Sequence, residues 1–264
     1  RTLPARARVP ARARARGSPR KSFAFSLSDW MPLKLAVFDF DRTLSACHLY
    51  HALAGGDGGI FAPAPFARTE RGQLARLAEL DELPEYREGG FAVAAFGGAE
   101  RVAQVHGMLG ELFESGVECV VCSRGLAGPI RRTLDHVGLL GRFTHVFANV
   151  GSGVKPTDYE MALPSHMPKE EDRRYLSEPG SVRCGPSKGR RVARLLKERG
   201  ITRHEAVFVD DTPQEIASAR GACITILVQP PQGQESACGM CAREMDLLRR
   251  LLAGPAHVPS PCRP

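Results

Sequence analysis

No apolar stretch of this 264-residue chain approaches the ~20 residues that a bilayer-spanning helix needs, so no membrane partner is expected. No internal repeat is visible. Charge of one sign is also missing from the body of the chain. The formal net charge is +7, from 36 Lys and Arg against 29 Asp and Glu. Residues 1–30 carry seven Arg and one Lys against Asp29 alone, which accounts for the whole excess. The balanced remainder offers no basic groove for nucleic acid. Its Arg131-Arg132 and Arg190-Arg191 pairs are the ordinary marks of solvated helix faces, and nucleic acid is not an expected partner.

What the chain does have is the run Leu35-Ala36-Val37-Phe38-Asp39-Phe40-Asp41-Arg42-Thr43-Leu44. Its apolar start reads as a buried parallel strand that ends in carboxylates at alternate positions, and alternation puts Asp39 and Asp41 on one side with Arg42 pointing away. A second strand of the same kind, Ala206-Val207-Phe208-Val209, ends in Asp210-Asp211-Thr212 about 170 residues later. Ligand sites in open α/β sheets form outside the carboxyl ends of such strands. Carboxylates gathered there repel one another and are costly to desolvate unless a cation or a shared proton compensates them. An oxygen-only donor set suits Mg²⁺, which takes one or two carboxylates together with water and substrate phosphate.

Two further elements fit a phosphate site. Val117 to Cys122 is a third apolar strand that stops at Ser123-Arg124-Gly125, before a helical stretch from Leu126 to Val137. A small hydroxyl and free N–H groups at a helix start can seat an oxyanion, or Ser123 can serve as a plain N-cap. Lys188 opens the amphipathic stretch Arg190 to Arg199 that leads to the Asp210 strand. A lysine at a helix start opposes the macrodipole, so an acidic partner would explain its position.

The order Asp39-x-Asp41-x-Thr43, Ser123, Lys188, Asp210-Asp211 resembles the haloacid dehalogenase (HAD) superfamily of aspartate-nucleophile phosphohydrolases, over roughly residues 33 to 230. The resemblance implies a doubly wound, mainly parallel α/β core, Rossmann-like, with a small helical cap or flap. It implies Asp39 as nucleophile and Asp41 as general acid and base. Asp39, the Asp41 main-chain carbonyl and Asp210 would hold Mg²⁺, with Asp211 in support. Ser123, Arg124 and Lys188 would bind the phosphoryl oxygens of a small phosphorylated substrate. Thr43 would orient Asp41 and its turn, or cap a local backbone group. Lys155, in Val154-Lys155-Pro156-Thr157, also looks like the family's lysine motif. Lys188 is preferred because a helix and then the Asp210 strand follow it at short spacing.

The rest of the chain divides around that core. Residues 1–32 form a basic leader, read as a targeting segment, a tail for anionic partners or translated upstream sequence; Met31 falls just before the first strand. The core spans 33–232, with a cap or flap at 45–96 that includes a helical stretch from Arg71 to Leu80. A helix is expected over Ala99 to Glu114. His48, His51 and Arg68 are candidate substrate contacts or packing residues of that cap. Residues 151–187, with the charged run Lys169 to Arg174, read as a solvated loop or small insert. A C-terminal helix and a Pro-rich tail complete the chain from 233. Cys119, Cys122 and Cys223 fall in or beside predicted core strands, so the eight cysteines are expected to be reduced thiols of an intracellular protein rather than a disulfide framework. Cys238, Cys241, His257 and Cys262 have only loosely zinc-like spacing. Two readings compete with a phosphatase: a catalytically silent binding module on the same fold, and a nucleic-acid-end phosphatase.

Overall fold

The run ahead of Asp39 forms strand β1 (Leu35–Phe38), buried at all four residues. The computed structural model describes residues 32–55, 66–151, 157, 161, 163–178, 181, 183–233 and 238–254. The leader, Lys155, His257 and Cys262 lie outside these residues. Strands β2 (Glu118–Leu126), β3 (His145–Asn149), β4 (Ala206–Asp210) and β5 (Ile224–Leu227) complete a sheet in the order β3-β2-β1-β4-β5. All four pairings are parallel. The doubly wound α/β class expected from the sequence is the observed one.

From β1 the chain works outward through β2 to β3, then returns to the far side of β1 for β4 and β5. The strand order therefore reverses between β1 and β4, which is where an open parallel sheet makes its crevice. Side-chain alternation divides the apolar residues between two cores. Ala36, Phe38, Val121 and Val209 face the helices α4 (Ala99–Glu114) and α5 (Ala127–His136). Leu35, Val37, Val120 and Phe208 face α6 (Lys188–Arg199) and α7 (Pro213–Ala219). The last helix, α8 (Ala242–Ala253), returns to the first face through Met245 and Leu248. Among the described residues no helix is long and apolar enough to cross a membrane.

Where a cap was expected, helices α1 (Leu49–Ala54), α2 (Glu70–Asp81) and α3 (Gly90–Ala95) follow one another. Leu53, Leu74, Leu77 and Phe91 join the same core cluster as Phe38 and Val121, so these helices are packed into the body.

Several local expectations need correction. Strand β1 stops at Phe38, and Phe40 to Leu44 close a single irregular helical turn in which Arg42 takes the left-handed region at φ 55°. Strand alternation therefore does not govern where Asp41 and Arg42 point. Strand β2 does not end at Ser123 but runs to Leu126, through a shift of register against β3 after Cys122. Strand β3 was not anticipated. The charged run 169–174 is not wholly solvated, because Asp172 is buried against Arg132, with Oδ1 2.7 Å from Nε.

Candidate active site

The register that sets Phe38 beside Val209 brings the ends of β1 and β4 level, and the Asp39 N–H donates to the Val209 carbonyl at 2.9 Å. Asp39 and Asp210 thus emerge as neighbours at the crevice. Asp39, Asp210 and Asp211 each place a carboxylate oxygen within 4.8 Å of the others. Lys188, the first residue of α6, reaches between two of them, with Nζ 2.7 Å from Asp39 Oδ1 and 2.7 Å from Asp210 Oδ2. All three partners are almost closed to solvent, at 4% exposure for Asp39, 3% for Lys188 and 0% for Asp210. The acidic partner that the position of this lysine called for is there twice over. Ser187 caps the helix, accepting from the Arg190 N–H at 3.4 Å.

Burial dominates the electrostatics. It pushes Asp39 up to about 6, with Lys188 pulling down and Asp41 pushing further up. It pushes Asp210 up to about 7, again with Asp39 adding and Lys188 opposing. Burial works against the Lys188 ammonium, yet the Asp39 and Asp210 carboxylates hold it above its ordinary value. One ammonium against three clustered carboxylates, two buried and Asp211 half-buried, leaves surplus negative charge with oxygen donors only. That donor set fits a hard divalent cation such as Mg²⁺.

Asp41 reaches the site by way of the turn rather than the strand. Its carboxylate accepts from the N–H groups of Leu49 and Tyr50 at the start of α1, and burial still pushes it up to about 7. His48 Nδ1 stands 3.4 Å from Asp41 Oδ2, which places one of the three cap candidates at the acid. His51 stacks edge-on against His48, and Arg68 is exposed. A β-carbon added to Gly125 would lie 3.3 Å from Asp41 Oδ2 and 3.4 Å from Ser123 Oγ. The structure thus collects Asp41, the bare Gly125 backbone and the fully buried Ser123 around one space.

Ser123 is not the cap of α5. Its Oγ accepts from the Gly125 N–H at 3.1 Å, while the first turn of α5 is served by Glu70 of α2, which accepts from the Gly128 N–H at 2.7 Å. Arg124 turns toward Glu215 of α7, donating Nε to Oε1 at 2.8 Å and Nη2 to the Pro186 carbonyl at 3.0 Å. Glu215 also accepts from the Lys188 N–H at 3.1 Å, so this pair braces the start of α6.

Sequence reasoning missed Arg101 of α4. Its Nη1 donates to the Leu44 and Phe96 carbonyls at 2.7 Å each, and its Nη2 to those of Thr43 and Met240 at 3.2 and 3.3 Å. A single guanidinium thereby ties the turn after Asp41 to the end of α3 and to the segment before α8. That segment is Cys238 to Cys241, docked on the same turn by the Met240 N–H to the Thr43 carbonyl at 2.8 Å. Cys241 caps α8, its thiol donating to Glu244 at 3.0 Å. Thr43 is fully buried, and its main-chain carbonyl does the bonding. Nothing in the sequence marks Arg101, since its acceptors are all backbone carbonyls.

No protein-family model matches the chain, and a search of curated proteins gave no match. Among solved structures the chain is similar to an apo-form phosphoserine phosphatase, at 20% identity over 74% of this chain and 86% of that one, with a TM-score of 0.39. It is also similar to a haloacid dehalogenase-like family hydrolase from Streptococcus pneumoniae (11% identity, 82% and 91% covered, TM-score 0.37). A HAD-superfamily hydrolase from Ehrlichia chaffeensis gives 14% identity, 84% and 99% covered, and a TM-score of 0.39. Likenesses this distant leave the reading of the site to its own geometry.

Proposed function

We propose that the chain is a Mg²⁺-dependent phosphomonoester hydrolase that works through an aspartyl-phosphate on Asp39. The observation that carries this reading is the buried cluster in which Lys188 bridges Asp39 and Asp210 at 2.7 Å each, with Asp211 alongside. The HAD-like motif order, carried by the same residues, supports it as well.

Asp39, Asp210 and Asp211, with the Asp41 main-chain carbonyl, would hold Mg²⁺. When bound, the ion neutralises charge on the phosphoryl oxygens. An Asp39 carboxylate oxygen attacks phosphorus and the bond to the leaving oxygen breaks. Asp41, held protonated near neutrality by burial, gives that oxygen its proton. The resulting Asp41 carboxylate then takes a proton from water, whose oxygen attacks phosphorus and frees Asp39 and inorganic phosphate. This splits one hard displacement into two easier ones. Ser123 Oγ and the Lys188 ammonium stabilise the transferring group's oxygens. Arg124, paired with Glu215, serves by bracing the start of α6, where Lys188 stands. Helix α1, packed into the body, walls the site beside Asp41, and a small phosphorylated substrate would sit against it. The seven described cysteines are all free thiols, which supports a reducing compartment.

Release of phosphate from a generic aryl phosphate tests the reading. Wild type is expected to turn over with Mg²⁺ and to stop with chelator, and Asp39→Asn to lose at least a thousandfold while keeping its fold. Normal turnover by that variant would exclude the mechanism. A wild type that binds an aryl phosphate but never cleaves it would leave the silent module.

A further inference from the structure

Two cysteines that the mechanism does not use meet beside this site. Cys122 is the β2 residue immediately before Ser123, and Cys184 sits in the loop that leads into α6, four residues ahead of Lys188. Their sulfurs are 3.4 Å apart, across 62 residues of chain, and both are buried, at 0% and 2% exposure. A disulfide bond is about 2.05 Å long, so the sulfurs need to approach by only roughly 1.4 Å to bond.

We infer that Cys122 and Cys184 are a redox-modifiable pair, oxidised by peroxide to a reversible disulfide that displaces the loop carrying Lys188. In the first step the Cys184 sulfur attacks one oxygen of hydrogen peroxide. The O–O bond breaks, one water leaves, and Cys184 becomes a sulfenic acid. The Cys122 thiol then displaces that hydroxyl, which leaves as a second water while the S–S bond forms. Two thiols lose two electrons and two protons in all, and one peroxide becomes two waters. The division of labour follows from the surroundings. The hydrogen bond between the two sulfurs, with the Lys188 ammonium and the Arg124 guanidinium nearby, holds the Cys184 thiol below its ordinary value. The same bond, together with burial, keeps Cys122 well above its own. Cys184 lies in the loop and is the less enclosed of the two, at 2% exposure against 0% for Cys122 in the strand, so it is the sulfur that meets the oxidant.

The new bond would join the strand that presents Ser123 to the loop that presents Lys188. The existing ties of that loop are non-covalent: Pro186 to Arg124, and the Arg183 carbonyl to Arg191 Nη2 at 2.6 Å. A displacement of about 1 Å at a phosphate-binding group can cost about a hundredfold in rate. The effect on turnover rests on the phosphatase reading; the bond itself does not.

The test is to treat the full chain with hydrogen peroxide, block free thiols by alkylation, and map the cysteines by mass spectrometry beside a phosphatase assay. The expected result is a reducible Cys122–Cys184 linked peptide and a tenfold or greater loss of activity that a thiol reductant restores. Cys184→Ser is expected to keep basal activity, form no such peptide and withstand the same peroxide dose. Recovery of both residues as alkylated thiols, or Cys184 as an irreversible sulfinic acid without a linked peptide, would overturn the inference. A linked peptide with unchanged activity would overturn its regulatory half. An untreated protein without activity would count against the phosphatase reading alone, since the thiol map still decides whether the bond forms.

Discussion

Lys188 is the residue on which the charge of the site turns, because it is the ammonium shared by two buried carboxylates at 2.7 Å. Removing one partner of a buried ion pair leaves the other uncompensated, at a cost of about 3–5 kcal/mol. Lys188→Met is therefore expected to lower the stability of chelator-treated protein by that order at pH 8. The loss should be smaller at pH 5, where Asp39 and Asp210 take up protons instead. Urea unfolding at both pH values measures this, and an unchanged midpoint at pH 8 would contradict it. This residue was legible because a lysine at a helix start is anomalous and asks for an acid. Asp39 and Asp210 were legible because acids at the ends of apolar strands are equally anomalous. Asp41 was found for a reason that does not hold: it follows an irregular turn, with Arg42 at φ 55°, that alternation cannot foresee. Arg101 was not legible at all, since a guanidinium bound to four carbonyls of distant segments has no sequence pattern.

Among the elements, α6 has to approach α7 closely to deliver Lys188, and Gly189 is what lets it. A β-carbon there would stand 2.3 Å from the Ser218 carbonyl oxygen, a backbone atom that cannot step aside alone. Gly189→Ala is accordingly expected to cost roughly 1–3 kcal/mol by overpacking, and to reduce turnover by shifting the helix start. Thermal unfolding and phosphate release on the same sample check both, and wild-type values for each would remove the packing argument. Helix α4 matches its sequence expectation at both ends, Ala99 and Glu114, because Gly97-Gly98 and its apolar spacing mark it plainly. Strand β2 ran past its expected end because Ser123-Arg124-Gly125 reads locally as a stop, while pairing with Asn149 of β3 carries the strand on to Leu126. Strand β3 itself is five residues long with a part-exposed start, which leaves little periodicity to read.

At the scale of the molecule, an all-parallel sheet gathers four carboxylates at one crevice, and stability should record the strain of that gathering. Asp39, Asp41 and Asp210 titrate from about 6 to about 7 in the folded chain, against 3.8 ordinarily, burial being the main cause for each. A raised carboxyl binds more protons folded than unfolded, so stability falls as pH climbs from about 4 through about 7. Glu205 works the other way in a lower window. Lys34, 2.6 Å away, and Thr202 hold it down to about 2, so its contribution is present above 4.5 and lost toward pH 2. Metal-free protein is expected to lose stability between pH 4 and 7, and Asp41→Asn to flatten that slope. Chemical denaturation across the range measures it; a slope of opposite sign, unaltered in the variant, would mean the acids are not buried as described.

The central claim is that the Asp39 carboxylate itself takes the phosphoryl group. Acid-quenching the enzyme during turnover of a ³²P-labelled aryl phosphate with Mg²⁺, then mapping the label, tests it most directly. The account predicts hydroxylamine-labile label on the peptide that contains Asp39, and none on Asp39→Asn. Label on another residue, or sustained turnover with single-turnover quenches that never carry label, would contradict it.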